Sequence, residues 1–356
     1  MNKKELDKAI EKTVLKMAMD PNNTEHYHEL AKYYAMDNQY EKVISVYESL
    51  LQIDPKDLQT LLNLGSIWFY AKEYKKALKY FNEAVLVNPS NYLVYYNLGN
   101  TYAEMKNFSK ALHYYSRTLD FNSQEPEIYN AIALLYHDFE DYVEARAYYE
   151  KSLSIDPNNL TALVDLGNVC YKLYDYKQAL EYYYKVFELA PDNKTVALCI
   201  ANTLAVIKDK EGCYKYFDKA IALEGDNYKA YICYAIAKSD FKDTEAAVEL
   251  YKKAIEINPK EVNAYILLGN LYSNLKKYDK AEIQYREALK INKLDPSIFV
   301  LIANTYYMNN EIERSIFSYR AAVNLRPEND EYKLVFIQVL EDYINDARKG
   351  DLVANF

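Results

Sequence analysis

The chain has 356 residues, of which half are hydrophobic and 27% are charged, a balance that is typical of a soluble globular protein. Its net charge of −9, with no basic stripe, excludes a duplex nucleic-acid binder, because neutralised phosphates supply most of the affinity of such proteins. No apolar run approaches the ~18 residues of a transmembrane helix, so we expect no membrane insertion.

The N-terminal segment predicts an amphipathic helix over residues 3–19, which ends before Asp20 and Pro21. It lacks the continuous apolar core of a secretory signal. Its spacing is similar to that of the second helix of the repeat described next, with Ala9 at the small position. We therefore expect residues 1–23 to form a capping helix over the first repeat.

The segment from Leu58 to Asn91 is a 34-residue unit that contains two amphipathic runs with helical spacing. Glu73 separates the runs, and Pro89 ends the second one. The unit occurs nine times across residues 24–329, starting at residues 24, 58, 92, 126, 160, 194, 228, 262 and 296. Because neither helix can bury its apolar face alone, each unit needs copies of itself on both sides.

Three positions of the unit carry the same kind of residue in every copy. Position eight is Gly or Ala, as in Gly99, position twenty is small, as in Ala111, and position twenty-four is aromatic, as in Tyr115. Small residues let the two helices of a repeat approach closely, and the ring fills the space where the next repeat arrives. Most of the 40 tyrosines fall at packing positions, so we assign them to the core.

This pattern closely resembles the tetratricopeptide repeat family, and the segment from Tyr95 to Tyr102 matches the first helix of that family. The resemblance covers residues 24–329. It implies an all-α fold, an α-solenoid in which antiparallel helix pairs form a right-handed superhelix with a concave groove. Family members mostly bind segments of other proteins there, so the resemblance implies a non-enzymatic scaffold or adaptor with a protein or peptide partner.

The resemblance places positions two, five, nine, twelve and thirteen of the first helix in the groove, and position six borders it. Position nine is Asn in five repeats, and an Asn amide can both donate to and accept from the backbone of an extended peptide. The alternative is that these amides bond within their own repeat. The candidate groove residues are Asn63, Asn97, Tyr96, Asn100, Asn130, His137, Asn168, Tyr171, Lys172, Asn202, Asn270 and Asn304.

Charges at groove positions predict no strong preference for the sign of the ligand. The acidic residues there include Glu104, Glu127, Asp138 and Asp240, and the basic ones include Lys32 and Lys229. Relatives that hold a partner's C-terminal carboxylate use Lys at position five and Arg at position six. Position five has no Lys here and position six has no Arg, so we expect no such clamp.

The cysteines predict reduced thiols in a cytoplasmic protein, because they form no CxxC pair and each falls on a predicted helix. They are Cys170, Cys199, Cys213 and Cys233. No cysteine lies near His26 and His28, so we expect no zinc site. Without a phosphate loop, nucleophile elbow or metal-ligand spacing, we expect neither an enzyme nor a cofactor.

Repeats six and seven depart most from the pattern. Leu204 and Lys238 replace the aromatic residue at position eleven, and Gly225 replaces a proline. One interpretation is local sequence drift. The other is a softer segment whose apolar groove takes a partner helix.

Residues 330–346 predict a last helix, and residues 330–356 a C-terminal cap with a short tail. The expected apolar face comprises Leu334, Ile337, Leu340 and Ile344, and the other face carries Asp342 and Asp346. Val335 and Phe336 widen the apolar face beyond what a cap needs. The alternative function is therefore a self-assembling subunit that forms a weak homodimer through its end helices.

Overall fold

The computed structural model of the chain describes residues 2–354, apart from the side chains of residue 346 and residues 349–354. Every regular element in this part of the chain is an α-helix, and the helices α1 to α20 follow one another in a tandem array. The all-α solenoid class that the sequence predicts is confirmed.

One helix precedes the repeats and one follows them, α1 at Lys3–Met19 and α20 at Asp330–Ala354. The first helices of the repeats have 13 residues each and are α2 Thr24–Met36, α4 Leu58–Tyr70, α6 Tyr92–Glu104, α8 Pro126–Asp138, α10 Leu160–Lys172, α12 Lys194–Val206, α14 Tyr228–Asp240, α16 Val262–Asn274 and α18 Pro296–Met308. The second helices have 14 residues each and are α3 Tyr40–Ile53, α5 Tyr74–Val87, α7 Phe108–Phe121, α9 Tyr142–Ile155, α11 Tyr176–Leu189, α13 Lys210–Leu223, α15 Thr244–Ile257, α17 Tyr278–Ile291 and α19 Ile312–Leu325.

The chain divides into two compact units, Met1–Tyr182 and Tyr183–Phe356, here called the first unit and the second unit. The boundary falls inside α11. Each unit has its own hydrophobic core, in which buried residues of successive hairpins pack together.

An Asn or Asp side chain caps most of the first helices. Oδ1 of Asp57 accepts a 2.7 Å hydrogen bond from the backbone N–H of Thr60, and Asn159 caps α10 in the same way through the N–H of Ala162 at 3.0 Å. Such caps satisfy backbone donors in the first turn that have no partner within the helix. The capping residue thus helps to set where each first helix begins.

A residue in the left-handed conformation joins the two helices of every repeat, and in no repeat is it glycine. The nine residues are Asn38, Lys72, Lys106, Glu140, Tyr174, Lys208, Lys242, Lys276 and Asn310. The next residue closes the turn, as when the N–H of Lys277 donates to the carbonyl of Tyr272 at 2.9 Å. The sequence pattern does not reveal this feature, because glycine, the usual marker of a positive φ, is not used there.

The ring at position twenty-four packs on the small residue at position eight of its own repeat. A methyl group added to Gly99 would lie 2.5 Å from the ring of Tyr115, and one added to Gly65 would lie 2.3 Å from that of Phe81. Both distances are far below van der Waals contact, so glycine leaves the room that the ring occupies. Both rings are buried. This contact explains why position eight carries only Gly or Ala.

Helix α1 packs against α2 in the first unit. Leu6 is buried, and Nζ of Lys16 lies 3.0 Å from the carboxylate of Glu29. Asn2 and Glu5 form a capping box that satisfies backbone N–H groups at the start of α1.

The prediction of which face of α20 packs against the last repeat is wrong. Leu334 is 68% exposed, Ile337 is 50% exposed and Ile344 is 46% exposed. Phe336 and Val339 face the last repeat instead and join the cluster around its aromatic ring. The helix carries apolar residues at almost every position from 334 to 340, so periodicity alone does not single out one face.

The polar side of α20 also differs from the prediction. Asp342 was expected on the outer face, but its carboxylate accepts a 2.8 Å hydrogen bond from the hydroxyl of Tyr307. The predicted role of Asp346 and the tail at residues 355–356 lie outside the described part of the chain.

Candidate functional site

Asparagines at position nine form hydrogen bonds within their own repeats, as three pairs of described residues show. In each case the hydroxyl of the tyrosine at position twenty-four donates to the amide oxygen. The pairs are Tyr115 with Asn100, Tyr285 with Asn270, and Tyr319 with Asn304. The first two O···O distances are 2.7 Å. The bond uses the oxygen of each amide, and its two N–H groups take no part in it.

Where position nine is not Asn, a tyrosine at position twenty-four can instead pair with position six of the next repeat. Nδ2 of Asn63 donates to the hydroxyl oxygen of Tyr47 at 2.9 Å. The hydroxyl of Tyr149 donates to the carboxylate of Asp165. Position nine of these two repeats is a lysine and a leucine. These bonds tie a groove-border side chain to the preceding repeat.

A cavity of about 480 Å³ lies among the first helices of four consecutive repeats in the first unit. Helices α4, α6, α8 and α10 supply most of its lining. Its aromatic lining residues are Phe69 and Tyr96, which are half-buried, and Tyr115 and Tyr149, which are buried. A volume of several hundred Å³ suits a small ligand or a few side chains of a larger one.

The charged side chains around the cavity are mostly acidic. Glu104, Glu127, Asp138 and Asp165 line it, together with Lys106. Nζ of Lys106 lies 3.2 Å from the carboxylate of Asp138 and balances its charge. The prediction of no strong sign was made for the groove as a whole and stays a prediction, while the lining of this cavity has four acidic side chains and one lysine.

Burial raises the pKa of the Asp165 carboxyl group, because desolvation penalises its charged form. The imidazole of His137 and the hydroxyl of Tyr149 both favour the carboxylate but do not outweigh burial. Burial likewise raises the pKa of Tyr149, and the adjacent carboxylate adds to that effect. A positive charge placed beside Asp165 would offset the free-energy cost of keeping it ionised.

Two polar atoms of α8 have no hydrogen-bond partner among the described residues. They are Oδ1 of Asn130, which lines the cavity, and Nδ1 of His137. A buried polar atom without a partner costs about 1–3 kcal/mol. Asn130 thus lines the cavity with a side chain whose buried oxygen is not satisfied by the described residues.

Three of the predicted groove residues, Tyr96, Asn100 and Asn130, line this cavity. Those of the first unit that do not line it are Asn63, Asn97, His137, Asn168, Tyr171 and Lys172. Those of the second unit are Asn202, Asn270 and Asn304. The structure thus brings together positions five and nine of the third and fourth repeats.

Some of the other predicted residues have local contacts on their own hairpins. The ring of Tyr171 meets that of Tyr176 edge-on, with centroids 5.3 Å apart. The ring of His137 meets that of Tyr142 in the same manner at 5.4 Å. Lys172 is exposed.

The cavity also includes residues that the sequence analysis assigned to packing or left out. Tyr115 and Tyr149 were assigned to the core, yet each also lines the cavity. Asp165 was not selected, although it occupies position six, where Asn63 and Asn97 had been chosen. Its position six, at the border of the groove, is the signal in the sequence that predicts it.

No group of three His, Cys, Asp or Glu side chains that suits a metal ion occurs among the described residues. Between residues 2 and 354, no helix is long and apolar enough to cross a membrane. The four cysteines are free thiols. Burial raises the pKa of Cys170 to about 11 and that of Cys213 to about 12, which keeps both protonated near neutral pH.

Tandem helix hairpins, each held together by a small residue under an aromatic ring, define a helical-repeat protein with a lined cavity among its first helices. Models of the tetratricopeptide repeat match residues 59–91, 92–125, 124–192, 228–261 and 250–283. The chain belongs to the tetratricopeptide repeat family. No curated relative matches its sequence.

Solved structures share this fold at low sequence identity. A tetratricopeptide repeat protein from Parabacteroides merdae has a TM-score of 0.55 at 15% identity, covering 70% of this chain and 98% of that one. Yeast Tom70 has a TM-score of 0.51 at 17% identity, covering 97% and 93%. YrrB, described as a repeat protein with an unusual peptide-binding site, has a TM-score of 0.46 at 24% identity, covering 52% and 95%. At such identities the likeness to the first two structures is one of fold alone.

Proposed function

We propose that this protein is a non-enzymatic interaction scaffold that binds a peptide segment of a partner protein in the cavity of the first unit. The observation that supports this most is the convergence of first helices from four consecutive repeats on one cavity, which is lined in part by the half-buried rings of Phe69 and Tyr96. Aromatic side chains mixed with polar ones are typical of the centres of protein interfaces.

Two amides give the cavity a means of pairing with a peptide backbone. Asn100 and Asn130 both line it, and the bond from Tyr115 holds the amide oxygen of Asn100. An amide fixed in this way loses little conformational freedom when its N–H groups meet a ligand carbonyl. Each such bond contributes about 0.5–1.5 kcal/mol. Contacts of this kind suit an extended segment, because its backbone groups are not used internally.

Other predicted groove residues of the first unit fit a supporting role at the edges of this site. They are Asn63, Asn97, His137, Asn168, Tyr171 and Lys172. In the second unit, Asn270 and Asn304 accept hydrogen bonds from tyrosines, which favours a packing role for both. The free thiols favour a reducing compartment such as the cytoplasm.

A phage-displayed library of random peptides, selected on the wild-type protein, tests this proposal. Leu134 lines the cavity and is 51% exposed, so Leu134→Trp fills the cavity without disturbing the core. Leu86 on α5 does not line the cavity and is 84% exposed, so Leu86→Trp is the matched control. We expect enriched peptides that bind wild type and the control but not Leu134→Trp. Peptides that bind all three proteins equally would contradict the proposal, as would a failure to enrich any.

A second candidate function is self-association through α20, as a self-assembling subunit. It is favoured by the apolar side chains of Leu334, Ile337 and Ile344, which lie on the exposed side of that helix. A second copy of the same helix would cover them in an isologous contact. Sedimentation equilibrium tests this candidate: we expect dimer formation that Ile337→Glu abolishes, and a strict monomer at high concentration would remove it.

A further inference from the structure

We infer that the cavity of the first unit accepts a cationic side chain, the ammonium of a lysine or the guanidinium of an arginine, from the bound peptide. This inference rests on the proposed function and names the chemistry of its ligand. Three independent features of the cavity lead to it: its charge, its rings and an unsatisfied acceptor.

The charge of the cavity favours a cation. Lys106 is engaged with Asp138, at 3.2 Å, which leaves Glu104, Glu127 and Asp165 without a basic side chain among the described lining residues. An anionic ligand would meet repulsion from these groups. A cationic ligand would gain from all three, and most from Asp165, which is the least hydrated of them.

The partly exposed rings of Phe69 and Tyr96 suit the same ligand. A lysine or arginine side chain packs its methylene stem on rings and places its charge over a ring face. The chain itself uses this contact elsewhere: Nζ of Lys238 lies 3.4 Å from the ring centroid of Tyr214, and Nζ of Lys76 lies 4.0 Å from that of Trp68. In the cavity, no lysine or arginine of the described residues lies over the ring of Tyr96.

The acceptor on Asn130 completes the site. Its Oδ1 has no hydrogen-bond partner among the described residues, and a lysine or arginine offers only donors. This oxygen is buried, so a ligand donor reaches it only when the Asn130 side chain turns toward the cavity, and a carboxylate would leave it unsatisfied. The cavity therefore combines carboxylates with the partly exposed rings of Phe69 and Tyr96, and lysine and arginine side chains match both.

The test uses variants of the full chain in which glutamates are replaced by uncharged glutamine, together with peptides from the phage-display selection. Glu104→Gln combined with Glu127→Gln removes two charges at the cavity while conserving shape. Glu41→Gln combined with Glu144→Gln makes the same change in net charge at exposed positions of second helices that do not line the cavity. The measurement is the dissociation constant by fluorescence anisotropy at low ionic strength, for a selected peptide and for its copy with the basic residue replaced by norleucine.

We expect enriched peptides to share a lysine or arginine. The cavity variant should bind them roughly tenfold more weakly than wild type, and the control variant should bind them as wild type does. The norleucine copy should bind wild type about as weakly as the selected peptide binds the cavity variant. Enriched peptides that are blocked by Leu134→Trp but share no basic residue would overturn this inference and leave the proposed function standing. Peptides that Leu134→Trp does not block, or no enriched peptide, would overturn both.

Discussion

The hydroxyl of Tyr115 donates a 2.7 Å hydrogen bond to Oδ1 of Asn100, and this single contact joins the core of the third repeat to the surface of the cavity. The ring of Tyr115 is buried against Gly99, while Asn100 lines the cavity. The position of a ligand-facing amide is therefore set by a packing residue on the other helix of the hairpin.

Removing this hydroxyl should lower stability modestly. Tyr115→Phe keeps the ring and leaves the oxygen of Asn100 without its donor, so we expect a loss of about 1 kcal/mol in the free energy of unfolding. Tyr251→Phe is the matched control, because position nine of its repeat is Ile236 and offers no amide. Urea denaturation of the three proteins measures the difference. Equal losses in both variants would show that the bond to Asn100 contributes nothing specific.

Neutralising Asp165 should stabilise the protein near neutral pH. Asp165→Asn conserves a polar partner for Tyr149, as Asn63 is for Tyr47, and removes a buried charge. We expect a gain of about 1 kcal/mol at pH 7.

The gain should depend on pH in a defined direction. The folded state raises the pKa of Asp165 above the ordinary 3.8, so at pH below 3.8 the carboxyl group is protonated in both states and carries no charge penalty. As pH rises through the raised pKa, folding must hold an ionised group, and wild-type stability falls relative to Asp165→Asn. Thermal melts between pH 3 and pH 7 measure this. A stability difference that stays constant with pH would contradict the assigned pKa direction.

Glycine at the left-handed turn position should stabilise the fold. Lys276 has a φ of 56°, a conformation that costs a side-chain-bearing residue more than glycine. We expect Lys276→Gly to raise the free energy of unfolding by about 0.5–1 kcal/mol. The neighbouring Lys277 has a φ of −93°, so Lys277→Gly should bring no gain. Chemical denaturation compares the two, and a loss of stability in Lys276→Gly would refute the strain argument.

Adding one methyl group under the ring of Tyr115 should destabilise the third repeat. In Gly99→Ala the new Cβ would lie 2.5 Å from that ring, which must shift at an overpacking cost of about 1–3 kcal/mol. The better helix propensity of alanine stabilises α6 by about 1 kcal/mol, so we expect a net loss of about 1 kcal/mol in the free energy of unfolding.

Gly225→Ala is the control for this substitution, because the nearest atom to its new Cβ is 3.8 Å away. It should leave stability unchanged within about 0.5 kcal/mol. A wild-type melting temperature for Gly99→Ala would show that the ring moves freely.

Much of the fold could be predicted from the sequence because the same packing contact, a small residue under an aromatic ring, recurs in successive repeats. Gly99 under Tyr115 and Gly65 under Phe81 are the same contact in successive copies, so the pattern reports the packing directly. The face of α20 could not be predicted, because that helix has no equivalent with which to compare it. Phe336 and Val339 pack there because they fit the surface of the last repeat, and the periodicity of α20 alone does not predict that fit.

The candidate site was less accessible to sequence reasoning. Tyr96, Asn100 and Asn130 were found because they occupy groove positions of the family. The acidic character of the cavity depends on which side chains neutralise one another, as Lys106 and Asp138 do, and that is a property of three-dimensional distances. Asp165 belongs to the site and is hydrogen-bonded to Tyr149. The two residues lie on α9 and α10, which are adjacent only once the repeats stack.

Isothermal titration of one selected peptide into wild type and Leu134→Trp shows whether the cavity of the first unit is the peptide-binding site. We predict that filling the cavity raises the dissociation constant by at least about tenfold, while the circular dichroism spectrum stays that of wild type. An unchanged dissociation constant in the folded variant would place the peptide elsewhere and contradict the account.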